Sequence, residues 1–147
     1  MAKKRFDEDT RVKIPTLIHL VKLGYNYIPK KNHKYDPETN IFTDIFNSSV
    51  KKINKGFTDQ DCSKLYNKIS LNLKNNDLGQ EFYNNLIVES GSRLIDFQNF
   101  ENNTFNVVTE LKYEKNGEEF RPDITILING LPLSFIEVKI PNNKAGI

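Results

Sequence analysis

Cysteine, histidine and long apolar runs are scarce in this sequence, and tryptophan is missing from it. Cys62 is the one cysteine in 147 residues, so no intramolecular disulfide can form, a reducing compartment is favoured, and the thiol reads as a small buried hydrophobe. His19 and His33 are the only histidines. Neither has a cysteine or acidic partner at metal-ligand spacing, which argues against a zinc site. The longest apolar stretches, 124 to 128 and 133 to 136, are strand-sized and far short of the roughly 18 residues that a membrane-spanning helix needs. The basic start Met1-Ala2-Lys3-Lys4-Arg5 runs into Asp7, Glu8 and Asp9 without the apolar core of a signal peptide, so a cytoplasmic chain is expected. No serine or cysteine stands in a nucleophile motif. Charge of one sign is not in excess either. A net charge of +2 and a pI near 8.5 are too mild to imply nucleic-acid binding, and the Lys-Lys pairs at 30/31 and 51/52 read as solvated surface. The run Lys30-Lys31-Asn32-His33-Lys34-Tyr35 mixes base and aromatic as DNA-contacting loops do, but is read as a solvated loop.

The residues that are present describe a globular chain on the polar side of average: 37% hydrophobic, 27% charged, mean hydropathy −0.57. The length is that of one domain, enough to bury roughly two thirds of the unfolded surface without staples. The first half reads as helical. Positions 7 to 23 place Val12, Ile14, Leu17, Ile18 and Val21 at helical spacing, with Pro15 expected to kink or split the helix and Gly24 to close it. Asp36-Pro37 predicts a helix near 38 to 54. Thr58-Asp59-Gln60-Asp61 resembles a capping box opening a helix whose inner face carries Cys62, Leu65, Ile69 and Leu73 and which ends at Asn75-Asn76-Asp77. A short helix follows over 80 to 87, and Phe82, Tyr83, Leu86 and Ile87 read as a core cluster. From Arg93 onward β-branched and aromatic residues gather in short runs, predicting strands near 93 to 97, 105 to 113, 120 to 128 and 133 to 140. Asn116-Gly117 and Asn129-Gly130 mark hairpin turns. The class is α+β, a mainly antiparallel sheet flanked by helices after a helical amino-terminal half.

Pro122-Asp123, thirteen residues, then Glu137-Val138-Lys139 is the constellation that can carry chemistry. Two carboxylates and a lysine suit metal-assisted phosphodiester hydrolysis: hard oxygens for Mg²⁺, and an ammonium near the attacking water or the scissile phosphate. The same spacing also describes a solvent-facing hairpin with a cross-strand ion pair. Register separates the two. A strict two-residue loop at Asn129-Gly130 pairs Asp123 with Ile136 and puts it on the face opposite Glu137 and Lys139. A three-residue loop of Ile128, Asn129 and Gly130, with a glycine bulge, sets Asp123 opposite Phe135, on the face of Glu137 and Lys139. The other face then collects Ile124, Ile126, Ile136, Val138 and Ile140, a proper core surface, so the bulged loop is predicted. Two converging carboxylates would repel, which is a motive for a divalent ion between them.

The block from Arg121-Pro122-Asp123 through Asn129-Gly130-Leu131-Pro132-Leu133 to Glu137-Val138-Lys139 resembles the amino-terminal nuclease domain of type I restriction enzyme R subunits, a branch of the PD-(D/E)xK nucleases. Leu94-Ile95-Asp96-Phe97, Glu101-Asn102-Asn103 and the opening helix carrying Asp9-Thr10-Arg11 extend the resemblance. It implies a restriction-endonuclease-like domain over 1–147, cut short at its end, with 1–90 mainly helical and 91–147 a β meander bearing the motif. It implies Mg²⁺ or Mn²⁺ held by Asp123, Glu137 and the Val138 backbone carbonyl, with Glu8 as a further acidic ligand, or else an ordinary first-turn helix acid. Lys139 would position or activate water, making Asp123, Glu137 and Lys139 the catalytic set. The expected partners are double-stranded DNA and the specificity and methylation subunits of a type I complex. ATP would enter only through a translocase region absent from this chain, which lacks the glycine-rich phosphate loop. Two other readings stay open: a non-catalytic DNA-binding or subunit-assembly module of the same fold, and a stand-alone PD-(D/E)xK nuclease.

Overall fold

The computed structural model describes residues 9–88 and 90–139; Glu8, the expected strand end at Ile140 and the segment beyond it lie outside them. The described residues are α+β, with four α-helices leading into a mixed, mostly antiparallel sheet.

A π-helical turn over Asp9–Lys13 leads into α1, Ile14–Lys22. The expected split at Pro15 thus falls just before it, because proline is tolerated in a helix's first turn, where its missing N–H has no partner to lose. Gly24 follows in the left-handed region, as expected of a helix stop. Strand β1, Asn26–Tyr27, was not expected. Helix α2 runs Thr43–Ile53 and starts later than the predicted 38. Asp36 closes a turn instead: its Oδ1 accepts the Glu38 N–H at 2.9 Å and its carbonyl accepts the Asn40 N–H at 2.7 Å. Helix α3, Asp59–Lys74, opens on the expected capping box, Thr58 Oγ1 accepting from Asp61 N–H and Asp61 Oδ2 from Thr58 N–H. Helix α4 is Gln80–Leu86. Of the apolar cluster expected there, Phe82 and Leu86 pack on the core while Tyr83 and Ile87 are exposed.

The predicted strand at 93 to 97 is a loop. The runs at 105 to 113 and 120 to 128 each break in two: β2 Phe105–Thr109, β3 Tyr113–Lys115, β4 Glu118–Phe120 and β5 Ile124–Ile128, followed by β6 Leu131–Ile136. Strands β3 and β4 form a separate ribbon turned by Asn116-Gly117, as predicted. The main sheet has the order β1-β2-β5-β6, with β1 parallel to β2 and the other pairs antiparallel.

Alternation along β2 and β5 divides the core. Val107, Ile124, Ile126 and Ile136 meet Leu17, Leu20 and Tyr25 on the α1 side. Val108 and Leu127 meet Ile28, Phe42 and Leu111 on the other. A third cluster joins α2 and α3 to the loop and hairpin through Phe46, Val50, Cys62, Ile69, Leu94 and Leu131. Cys62 is 1% exposed, as its scarcity suggested. The Lys30–Tyr35 loop is solvated at Lys31, Asn32 and Lys34 and docked at its two ends, where Tyr35 stacks on Phe42 at 5.2 Å and Lys30 Nζ donates to the Glu110 carbonyl at 2.6 Å.

Candidate active site

The β5–β6 hairpin turns on two residues, Asn129 and Gly130, both left-handed at φ 53° and 78°, with Ile128 paired to Leu131 and Leu127 to Pro132. The three-residue loop is therefore wrong. The bulge exists one step further on, in β6: the next pair is Ile126 with Ser134, which leaves Leu133 unmatched. Ile124 then faces Ile136, so the following residues, Asp123 and Glu137, fall opposite one another. A strict register would have put Asp123 against Ile136. The extra residue in β6 restores the alternation that the isoleucines require, from the opposite strand to the one predicted.

The two carboxylates interlock with each other's strands. Glu137 Oε2 accepts the Asp123 N–H at 3.2 Å, and Asp123 Oδ2 accepts the Val138 N–H at 2.9 Å. Asp123 is half-buried and Glu137 exposed, while the Val138 side chain is buried, which anchors the peptide bearing its carbonyl. Lys139 is exposed two residues beyond Glu137 and forms no hydrogen bond or ion pair to either carboxylate. The structure thus joins Asp123 and Glu137 and leaves Lys139 beside them. Glu8 lies outside the described residues. Among those residues no three His, Cys, Asp or Glu side chains are arranged to hold a metal ion. A cation here would rest on two carboxylates, a carbonyl and water, a donor set that fits a hard, strongly hydrated ion.

Sequence reasoning overlooked Glu110. Thr109 pairs with Ile124, and Glu110 N–H continues that ladder to the Asp123 carbonyl at 3.3 Å. Its φ of 56° is rare for a non-glycine residue, and its carboxylate pairs with Lys13 of the opening helical segment. An acid therefore sits at the end of each of three adjacent strands. His33, for which no partner was expected, places Nδ1 2.9 Å from Asp44 Oδ2, eleven residues away.

At the opposite end of the sheet a buried polar network holds the hairpin tip. Asn129, fully buried, donates Nδ2 to the Leu94 carbonyl at 2.8 Å and to Asn103 Oδ1 at 2.9 Å, and accepts the Thr104 N–H at 2.8 Å. Asn103 Oδ1 also accepts the Asp96 N–H. Asp96, 1% exposed, accepts from Asn102 Nδ2 and from the Asn99 and Gln98 N–H groups and lies 3.5 Å from Arg93. The Asn102 side chain foremost, then these N–H donors and Arg93, hold its carboxyl below the ordinary value. The segment read as a strand at 93 to 97 is thus a loop whose backbone is satisfied by asparagine side chains, Asn54 at Arg93, Asn129 at Leu94 and Asn103 at Asp96, while Asp96 itself closes an Asx turn onto Gln98.

The fold and site define an α+β domain with a carboxylate pair and a following lysine on the edge hairpin of a sheet. Residues 5–146 match the family model of the type I restriction enzyme R protein N terminus, and the chain belongs to that family. Three relatives from Methanocaldococcus jannaschii are similar to it. The putative type I restriction enzyme MjaIXP endonuclease subunit is 30% identical over 165 aligned residues, covering 95% of this chain and 16% of the relative. The MjaVIIIP endonuclease subunit is 35% identical over 89 residues, 60% of this chain and 8% of the relative. The MjaVIIP endonuclease subunit is 45% identical over 47 residues, 32% of this chain and 4% of the relative. The chain spans less than a fifth of the length of each relative it matches.

Proposed function

We propose that this chain forms one metal-dependent nuclease domain of restriction-endonuclease-like fold, which hydrolyses phosphodiester bonds of double-stranded DNA in the cytoplasm as part of a type I restriction R subunit. The supporting observation is the exchange in which Asp123 and Glu137 each take a backbone N–H from the other's strand, leaving one oxygen of each carboxylate for a further partner. Those oxygens and the Val138 carbonyl would hold Mg²⁺ or Mn²⁺, with Glu8 a further ligand. When bound, the ion supplies charge neutralisation at the phosphate and a more acidic water. The Lys139 ammonium positions the attacking water or steadies the scissile phosphate. The backbone bonds of Asp123 and Glu137 would hold both carboxylates in place without cost during reaction. Specificity and methylation subunits would choose the DNA site, and ATP would act in the part of the R subunit outside this chain.

Metal titration tests the reading. Calorimetry should detect weak Mn²⁺ binding that disappears in Asp123→Ala and persists in Lys139→Ala. Equal binding by wild type and Asp123→Ala removes Asp123 from the ligand set. Assembled with the remaining R-subunit polypeptide and its partners, Lys139→Ala should bind metal yet fail to cleave plasmid. Without the partners that would position DNA, the 147-residue chain alone should cleave slowly, since a misplacement of about 1 Å costs roughly a hundredfold. Rapid cleavage by the chain alone, abolished by Glu137→Ala, would favour the stand-alone nuclease.

A further inference from the structure

A cleft of about 480 Å³ opens where the end of α2 meets the 91–102 loop, at the hairpin-tip end of the sheet. Its lining is cationic and amide-rich: Lys52, Lys55 and Arg93 with Gln98, Asn99 and Asn102. Asp96 also lines it, but that carboxylate is saturated by Asn102, two backbone N–H groups and Arg93. A helix C-terminus carries partial negative charge and would repel an anion. Here that end is neutralised, because Arg93 Nη2 donates to the Ile53 carbonyl at 2.9 Å and Asn54 Nδ2 to the Val50 carbonyl at 2.9 Å. Lys52 donates to the Glu101 carbonyl at 3.1 Å, which steadies its ammonium at the rim and leaves two of its three protons for a ligand. Lys51, next to it, is instead engaged by Asp59.

We infer that this cleft binds the sugar-phosphate backbone of duplex DNA through Lys52 and Lys55, as a contact separate from the Asp123–Glu137 site. Carboxamides beside ammonium groups match phosphate and sugar oxygens, the acceptors that receive most protein–DNA hydrogen bonds. Lysine serves there as a point charge on phosphate. The carboxylate pair and the hairpin tip beside the cleft are separated by the six residue steps from Asp123 to Asn129, roughly 20 Å at about 3.4 Å per residue. That is about six base-pair steps, so a single short duplex is long enough to touch both. The choice of DNA rests on the proposed function, but the contact requires neither metal nor cleavage.

The test is fluorescence anisotropy of the chain with a labelled 20-base-pair duplex in EDTA, titrated with salt. Lys52→Ala/Lys55→Ala should reduce the slope of log K against log salt by about 1.8, which corresponds to roughly 60-fold weaker binding at 0.1 M. Lys64→Ala/Lys68→Ala, on exposed positions of α3, should leave the slope unchanged. Circular dichroism melts confirm folding, and Lys52→Arg/Lys55→Arg, which keeps both charges, should restore the slope. An equal loss in the α3 control, an unchanged slope in the cleft variant, or no binding by the wild-type chain at low salt overturns the inference. A cleft variant that binds DNA normally while the Asp123 metal site stands refutes the cleft alone. Loss of metal binding with an intact cleft effect refutes only the nuclease reading.

Discussion

Gly130→Ala and Gly117→Ala form a matched pair that measures how tightly the hairpin tip is clamped. Both glycines hold the second position of an Asn-Gly turn, at φ 78° and 80°, so an added methyl meets the same backbone penalty at each. That penalty is about 1–2 kcal/mol for an L-residue in the left-handed region. Their surroundings differ. A Cβ at Gly117 would have nothing within 4 Å, whereas one at Gly130 would lie 2.6 Å from the Phe42 carbonyl oxygen and 2.8 Å from Phe46 N. Both are backbone atoms at the start of α2, and Phe42 N–H donates to the Gly130 carbonyl at 2.9 Å, so the tip cannot move away without losing that bond. Overpacking adds roughly 1–3 kcal/mol and the lost hydrogen bond about 1. Gly130→Ala should therefore cost about 3–6 kcal/mol, against about 1–2 for Gly117→Ala. At roughly 3 °C per kcal/mol for a chain of this size, thermal melts followed by circular dichroism should fall by about 9–18 °C and about 3–6 °C. A difference under about 1 kcal/mol between the two would refute the claim that the tip is wedged against α2.

The polar network behind the tip makes two further predictions. Asn129→Ala strands the Leu94 carbonyl and the Thr104 N–H and leaves Asn103 Oδ1 with the Asp96 N–H as its remaining donor, and should destabilise by about 3 kcal/mol in urea melts; a loss below about 1 kcal/mol would mean that water replaces the side chain. Asp96 is held below its ordinary value of 3.8. Its contribution is therefore complete above that pH and lost as pH falls through the lower folded value. Stability of the wild type should drop more steeply than that of Asp96→Asn in acid below about pH 4, and parallel curves would show that Asp96 does not govern the acid limb.

Local signals in the chain were legible without a structure. Thr58 and Asp61 cap α3 because both partners lie within one turn, and both Asn-Gly pairs mark hairpin turns because asparagine and glycine tolerate positive φ. The alternation of Ile124, Ile126 and Ile136 likewise made it clear that Asp123 and Glu137 must share a face. It could not say how. Two bulges, one in the loop and one in β6, satisfy the same alternation, and the choice fell to the packing of Gly130 against α2, which demands the tight two-residue tip. The Asp36-Pro37 helix start misled because Asp36 caps a turn as readily as a helix.

The sequence by itself determined the α+β class, the helical first half ahead of a strand-rich second half, and the face that Asp123 shares with Glu137, since each depends on residues within a few positions or on a period of two or 3.6. Tertiary structure alone decided the parallel pairing of β1 with β2, the left-handed Glu110 joined to Lys13 across 97 residues, and the Asn129 links to Asn103 and Leu94 across 26 and 35. Such pairings are selected by which buried polar groups find partners once the chain has closed on itself, and no local pattern of residues encodes that choice.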